Sequence, residues 1–319
     1  RSIELLLLVL FATVIGLQCS NRVDFSKILS VITIGYLLIN IISIVLAEFI
    51  FSFNFLNRSQ ITTTAEIQFL NYNVSVASLG YIITLYSKFI LKLNWAKNIF
   101  YPAIMLQLYL LYLSQSRIAL SIVIIFTLFI FIKSKKVLLL TTLLFLTLFG
   151  IIFITFNFDS RTILDQKQVH DYITRGQNQD EFLSISGRTQ LWGFVWDSFL
   201  DSPLIGHGYL SISKTGTVNI WGKEQYVTAH NLYLQTLVSL GVLGFILLLF
   251  SMVRFLLLII KVFNRDSVNY ELSTLALIIF IIILIKSMFG NVLLGAIRPQ
   301  HILFFSIIGI ISGLAQKKL

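Results

Sequence analysis

Charged residues divide the chain into long stretches that carry none. Uncharged runs cover 5–21, 28–47, 67–87, 98–116, 118–132, 137–158, 225–253 and 299–316, and a shorter one, 272–285, continues past Lys286 to Gly290. A helix crosses the hydrocarbon core with about 20 mostly apolar residues. The pattern therefore predicts about nine transmembrane helices of near bilayer length. Run 118–132 is the shortest; at ~1.5 Å per residue it reaches only ~22 Å, which calls for a thinned bilayer, little tilt, or a start inside protein.

Basic residues set the orientation by the positive-inside rule. One set of alternate connections holds Arg22 and Lys27; Lys88, Lys92 and Lys97; Lys133, Lys135 and Lys136; Arg254, Lys261 and Arg265; and Lys317 and Lys318. The opposite short segments hold Arg1, Arg58, Arg117, Lys286 and Arg298. The richer side is assigned to the cytoplasm and the C-terminus with it. Arg1 then falls outside. With no initiating Met and no small-residue cleavage site after the first apolar run, the chain reads as part of a longer protein, with an odd number of helices expected upstream.

The organisation that follows is about six helices over 1–156, a large extracytoplasmic loop over 157–229 and about three helices over 230–319. Between the adjoining runs, residues 159–224 carry eight acidic and six basic residues, three of the four Trp and two of the four His. Loops beyond about 12–15 residues are usually functional, so chemistry is expected here and at the outer helix ends. Within the loop, Leu191, Phe194, Val195, Ser198 and Phe199 recur at helical spacing, with Trp192 and Trp196 four apart on a neighbouring face. Thr189 to Leu200 is thus predicted as an amphipathic helix lying along the outer leaflet with its Trp at headgroup level. Ser186 is a suitable N-cap, and Asp201-Ser202-Pro203 ends the helix because Pro disfavours a helical residue before it.

Composition narrows the function classes. The chain is 57% hydrophobic and 12% charged, with mean hydropathy +0.88, against roughly 25% charged residues in soluble proteins. Net charge is +10, yet no basic tract with interleaved aromatics exists for nucleic acid. The lone Cys19 excludes internal disulfides and a cysteine-rich metal site. Neither a Walker-type glycine loop nor an Asp-x-Asp pattern occurs, and His207 and His230 are poorly spaced for a metal.

Several residues are candidates for chemistry. Arg117, in Ser-Gln-Ser-Arg between two apolar runs, either snorkels to lipid headgroups or clamps an anion, for which its planar fork is suited. Arg188 opens the loop helix, where free backbone N–H groups already favour an anion. His230, in Thr-Ala-His-Asn at the mouth of run 225–253, can exchange a proton near neutral pH or simply cap a helix entry. His207 sits between Gly206 and Gly208, which permit a turn. His170 and His301 read as solvated and interfacial; Glu48 and Lys286 need no role beyond their helix ends.

Taken in order, Ser186-Gly187-Arg188, Trp192, Ser202-Pro203-Leu204-Ile205-Gly206-His207-Gly208, His230-Asn231-Leu232-Tyr233 and Gly241-Val242-Leu243-Gly244 resemble the signature of the O-antigen ligase and Wzy-type O-antigen/capsule polymerase superfamily. The resemblance covers residues 186–244 closely, and the helices on both sides fit it. It implies an all-α polytopic membrane fold of the GT-C type. It also implies sugars donated from undecaprenyl diphosphate on the outer face of a bacterial cytoplasmic membrane, with no metal or other cofactor. On it, Arg188 matches the loop arginine, His230 the histidine of the His-Asn-x-Tyr motif, and Arg117 an arginine at an outer helix end by position and context. The site it outlines has Arg117, Arg188 and His230 in the chemistry. Arg117, Arg188, His207, Trp192, Asn231 and Tyr233 line the substrate. Membrane lipids surround it, and a chain-length regulator and flippase of the same pathway are its expected partners. A polymerase and a ligase are both compatible with these residues. The rival from another class is a transporter of lipid-linked sugars; transporters often show internal repeats with broken helices, and no such repeat is found.

Overall fold

A computed structural model of the protein describes residues 7, 9–15, 22–51, 64–114, 116–135, 188–209, 211–215, 217–220, 223–225, 228–263, 267–290, 293 and 299–316. The helices are α1 (Arg22–Phe51), α2 (Thr64–Phe89), α3 (Asn94–Ser114), α4 (Arg117–Lys133), α5 (Arg188–Asp201), α6 (Leu232–Phe263), α7 (Ser267–Ser287) and α8 (Pro299–Gln316). Residues 9–15 are helical as well. One short hairpin, β1 (Val218–Ile220) with β2 (Lys223–Gln225), pairs antiparallel with Ile220 opposite Lys223. The expected helix over 137–158, together with Ser186, Gly187, His170 and Trp221, lies outside the described residues.

The protein is an all-α membrane protein. Among the described residues α6, Asn269–Ser287 of α7, and α8 are long and apolar enough to cross a bilayer, and α1, α2 and α4 carry shorter apolar stretches. The helices overrun the uncharged stretches: α6 continues through Arg254 and Lys261 to Phe263. Long basic side chains place their charge in water while the stem stays on apolar surface, so a charge marks the membrane boundary rather than the helix end. On α6, Leu243, Leu247, Phe250, Val253, Leu257 and Ile260 form an exposed stripe at three- and four-residue spacing, while Phe255, Ile259 and Val262 are buried. In water such a stripe would drive aggregation; in lipid it is the outward face.

The chain forms two compact units, one of residues 26–178 and one of 1–25 with 179–319. In the first, α3 and α4 pack on α2, whose Val76, Ala77, Ile82, Ile83 and Tyr86 are fully buried. Leu29, Thr33, Tyr36 and Asn40 make one buried face of α1. Gly80 allows a close approach: a Cβ there would sit 2.6 Å from Nε2 of Gln107. At the α2–α3 turn the Lys88 ammonium lies 3.4 Å from the centre of the Phe100 ring, a cation–π contact.

In the second unit α6, α7 and α8 pack together around three rings. Phe255 meets Phe280 and Phe304 edge-on at 5.3 and 5.6 Å. Gly309 of α8 brings the two backbones so close that a Cβ would collide with the Ala12 carbonyl, the small-residue contact favoured between membrane helices. Lys286, Gln300 and His301 are buried at the adjoining ends of α7 and α8. The sequence pattern left Lys286 and His301 at an interface; packing of α7 on α8 covers them.

The uncharged run 225–253 is not one continuous span. Its first residue belongs to β2, and α6 is broken at Gly241, whose φ of 66° and ψ of −170° are non-helical. The break leaves Leu232–Leu240 as a short first helix and Val242–Phe263 as a span of ~33 Å at ~1.5 Å per residue. A break exposes helix-end carbonyls on one side and amides on the other. The segment Pro203–Gly208 supplies both kinds of partner. His207 and Gly208 donate their N–H to the carbonyls of Val238 and Ser239, each at 2.9 Å. Pro203 and Leu204 offer carbonyls to the N–H of Val242 and Leu243 at 2.8 and 3.4 Å. Gly206 (φ 68°) and Gly241 face each other across this junction: a Cβ on either would collide with the opposing backbone.

Gly206→Ala and Gly241→Ala each combine that collision with a left-handed backbone that costs an ordinary residue about 1–2 kcal/mol. Both are expected to lower the thermal midpoint in detergent by several degrees or to prevent folding. Gly193→Ala on α5, where a Cβ meets nothing within 4 Å, should be neutral or stabilising by up to ~1 kcal/mol. A thermal-unfolding series checks the order. Wild-type melting of either junction variant would remove this wedge from its structural role.

Candidate functional site

The candidate residues of the loop gather in the second unit, where α5 packs on α6. The predicted loop helix is present and one residue longer at each end, Arg188–Asp201. Leu191, Val195, Ser198 and Phe199 face inward, as their spacing predicts, while Phe194 is exposed. With Ile212, Ala229 and Val238 they form the core under the site. Trp196 is exposed and packs on Phe199 at 5.2 Å. Trp192 is half-buried, and its ring N–H does not face headgroups: it donates to the Ala229 carbonyl at 2.9 Å.

Arg188 is the first residue of α5 and half-buried. Burial pushes its guanidinium below its ordinary value; it stays protonated, as arginine does throughout the accessible range. A cation at a helix N-terminus also opposes the helix dipole, which favours anions there. Among the described residues no carboxylate pairs with it. Arg188 is thus a partly desolvated cation with no counter-charge among the described residues, an environment that a bound anion relieves. Arg188 and Trp192 are four apart and so share a face, which sets the guanidinium one turn from the tryptophan that grips residue 229.

His230 is exposed and holds a φ of 47°. That left-handed conformation is uncommon outside glycine and is kept where surroundings over-determine it. Its neighbours explain how. Asn231 is the N-cap of α6: its Oδ1 accepts from the N–H groups of Tyr233 and Leu234 at 2.9 and 3.2 Å. Leu232 is fully buried. The Tyr233 hydroxyl donates to the Leu284 carbonyl in α7 at 3.3 Å. In His-Asn-Leu-Tyr, Asn231, Leu232 and Tyr233 hold the corner, and His230 is exposed on it.

His207 lies in the wedge, half-buried, with Nε2 2.6 Å from the Ser198 carbonyl. A carbonyl only accepts, so Nε2 carries the proton and donates. Of the expected substrate-lining residues, His207, Trp192, Asn231 and Tyr233 each spend a polar atom on the protein. What they leave toward a ligand is ring faces, the second His207 nitrogen and the Asn231 amide. Arg117 belongs to the other unit, as the first residue of α4 behind Ser116, whose hydroxyl accepts from the Ala119 N–H at 3.4 Å. Its position therefore repeats that of Arg188, an arginine opening a helix.

Sequence reasoning passed over Gln235, Ser239 and Ser211. Gln235 is fully buried; its Oε1 accepts from the Ala229 N–H at 2.9 Å and its Nε2 donates to Ser239 Oγ at 2.8 Å. The Ser239 hydroxyl in turn donates to the Ser211 carbonyl at 2.8 Å. A signal was available: Gln235 and Ser239 are polar residues four apart in an otherwise apolar run, and buried polar groups require partners. The hairpin was also missed, although Val218 and Ile220 precede Gly222 in a strand-and-turn pattern.

Residues 102–249 match the family described as O-antigen ligase. That range takes in both arginines, the wedge and the His230 corner. No curated protein matches the chain.

Asn231→Ala removes the cap and is expected to cost about 1 kcal/mol, within the usual 0.5–2 kcal/mol for N-caps, whereas Asn231→Ser should keep most of it. Denaturation of the two variants in one detergent checks this; equal loss in both would show that the side chain is not capping α6.

Proposed function

Because the chain belongs to the O-antigen ligase/Wzy-type superfamily, a group of membrane glycosyltransferase-like ligases and polymerases, we propose that it is a polysaccharide polymerase. It joins undecaprenyl-diphosphate-linked oligosaccharide repeat units on the outer face of a bacterial cytoplasmic membrane by metal-independent, inverting transfer. The observation that carries this reading is the His230 corner. An exposed histidine is held in a left-handed backbone beside α5, whose first residue is an arginine that no carboxylate pairs with among the described residues.

The chemistry follows from those two features. An acceptor sugar hydroxyl attacks the anomeric carbon of the donor, and the bond from that carbon to the diphosphate oxygen breaks. The diphosphate leaves with the electron pair, and the partly desolvated cation of Arg188 stabilises its charge more strongly than it would in water; the family resemblance gives Arg117 the same role. The hydroxyl proton passes to neutral His230, a general-base role worth typically 10²–10⁴-fold in rate. Attack opposite the leaving group inverts the anomeric centre. Trp192, His207, Asn231 and Tyr233 shape the sugar site, their ring faces and remaining polar atoms toward the substrate. The cytoplasmic C-terminus rests on the basic-residue asymmetry; a flippase and a chain-length regulator are the fitting partners.

Ligase chemistry is the second reading, favoured by the description of the matched family; it uses the same donor and clamp and differs in acceptor. The test is product formation by purified protein given undecaprenyl-diphosphate repeat units with EDTA present. A size ladder is expected from the wild type. Arg188→Ala and His230→Ala should each lower the rate by at least ~10²-fold, and Arg188→Lys should not restore it, since lysine lacks the bidentate fork. A single shifted band on an added acceptor would favour the ligase. Movement of lipid-linked sugar across vesicles with no donor consumed would leave a transporter instead.

A further inference from the structure

The site presents one histidine in a costly backbone conformation, and the residues on either side of it are held through side chains. Ala229, fully buried immediately before His230, has each of its backbone polar groups taken. Its N–H goes to Oε1 of Gln235 at 2.9 Å, and its carbonyl receives the Trp192 indole N–H at 2.9 Å. On the other side Asn231 caps α6. His230, with its φ of 47°, thus stands between two anchored residues, Ala229 and Asn231.

We infer that Gln235, together with Trp192, is a positioning residue that sets the orientation of the His230 imidazole for proton transfer. The inference rests on the proposed role of His230 and adds a residue that touches no substrate: Gln235 is 0% exposed. The chemistry of the side chain matches the task. Gln235 must accept from Ala229 at one end while donating at the other to Ser239 Oγ at 2.8 Å and the Ser211 carbonyl at 3.3 Å. A primary amide does both, with one accepting oxygen and two N–H donors on the neighbouring nitrogen. Glutamate would set a carboxylate against the Ser211 carbonyl, and leucine would leave the Ala229 N–H buried without a partner, which is costly.

The same amide links two parts of the site. Ser239, which it reaches, also accepts the Gly208 N–H on its own carbonyl at 2.9 Å. Gln235 therefore ties the His230 corner to the wedge that closes the break at Gly241. Trp192 ties the corner to the helix that Arg188 opens. Proton acceptor and diphosphate clamp are held in register through these two side chains, and a misplacement of about 1 Å is enough to cost about 10²-fold in rate.

The test is steady-state kinetics of the full-length protein in detergent with undecaprenyl-diphosphate repeat units. Gln235→Leu, Trp192→Phe, His230→Ala and the doubles Gln235→Leu/His230→Ala and Trp192→Phe/His230→Ala are compared. Gln235→Leu is expected to lower kcat by about 10–100-fold with KM for the donor changed less than about 2-fold, and Trp192→Phe, whose ring also lines the sugar site, to lower kcat by a similar factor. The limb of the kcat–pH profile that His230→Ala abolishes should shift. Each double is expected to be no slower than His230→Ala alone, because residues acting through one group are not additive. Wild-type kcat in the single variants, or doubles slower by the product of the singles, would overturn the positioning role. Trp192→Phe keeps an aromatic ring and loses the pyrrole portion with its N–H, so its shift of the pH limb and its double with His230→Ala carry the test should Gln235→Leu fail to fold. Wild-type kcat in His230→Ala would instead show that the reading of His230 is wrong, a separate outcome from failure of Gln235 to act through an essential histidine.

Discussion

A helix in apolar surroundings cannot leave its backbone groups unpaired, and the break at Gly241 puts that constraint at the centre of this protein. Carbonyls of one half-helix and amides of the other need partners that lipid does not supply. The segment Pro203–Gly208 provides them from outside the helix, two bonds to each side. Its glycines are required because two backbones meet where no Cβ fits. The order of residues in the Ser-Pro-Leu-Ile-Gly-His-Gly stretch thus has a mechanical meaning before it has a chemical one.

From that junction the rest of the site is built outward. The short helix Leu232–Leu240 stands on the break and carries Asn231, Tyr233, Gln235 and Ser239 in fixed directions. Helix α5 leads directly into the wedge and is held to it by the His207–Ser198 bond and to the corner by Trp192. A rigid frame of this kind suits a reaction whose main demand is charge stabilisation, since preoriented groups need no reorganisation when charge develops. It also explains why several residues of the resemblance are occupied internally: the frame consumes their polar atoms, and the groups left facing outward are few.

Much of the fold was legible in the sequence. Membrane helices followed from uncharged runs because bilayer thickness fixes their length, and α5 followed from Leu191, Val195 and Phe199 because a helix repeats every 3.6 residues. Arg188 and His230 were legible as candidates from residue type and context. The break in α6 was not, because Gly241 in an apolar run reads equally as a packing glycine; only the opposing Gly206 backbone shows why the helix must stop. The spacing of Gln235 and Ser239 marked a buried polar pair, but the role of the amide stayed hidden because it has no direction until its partners, Ala229 and Ser211, are brought to it.

The sequence by itself determined the class of molecule, the approximate helices and the residue types capable of the chemistry. These depend on local properties: hydropathy over a bilayer's length, helical periodicity and the intrinsic proton and charge behaviour of Arg and His. Tertiary structure alone decided which of those residues are presented and which are spent. Trp192 and Ala229 are 37 residues apart in the chain, and no local pattern encodes a hydrogen bond between them. Nor does local sequence show that burial strips Arg188 of part of its hydration. A pairwise contact across the chain exists only once the packing that forms it exists.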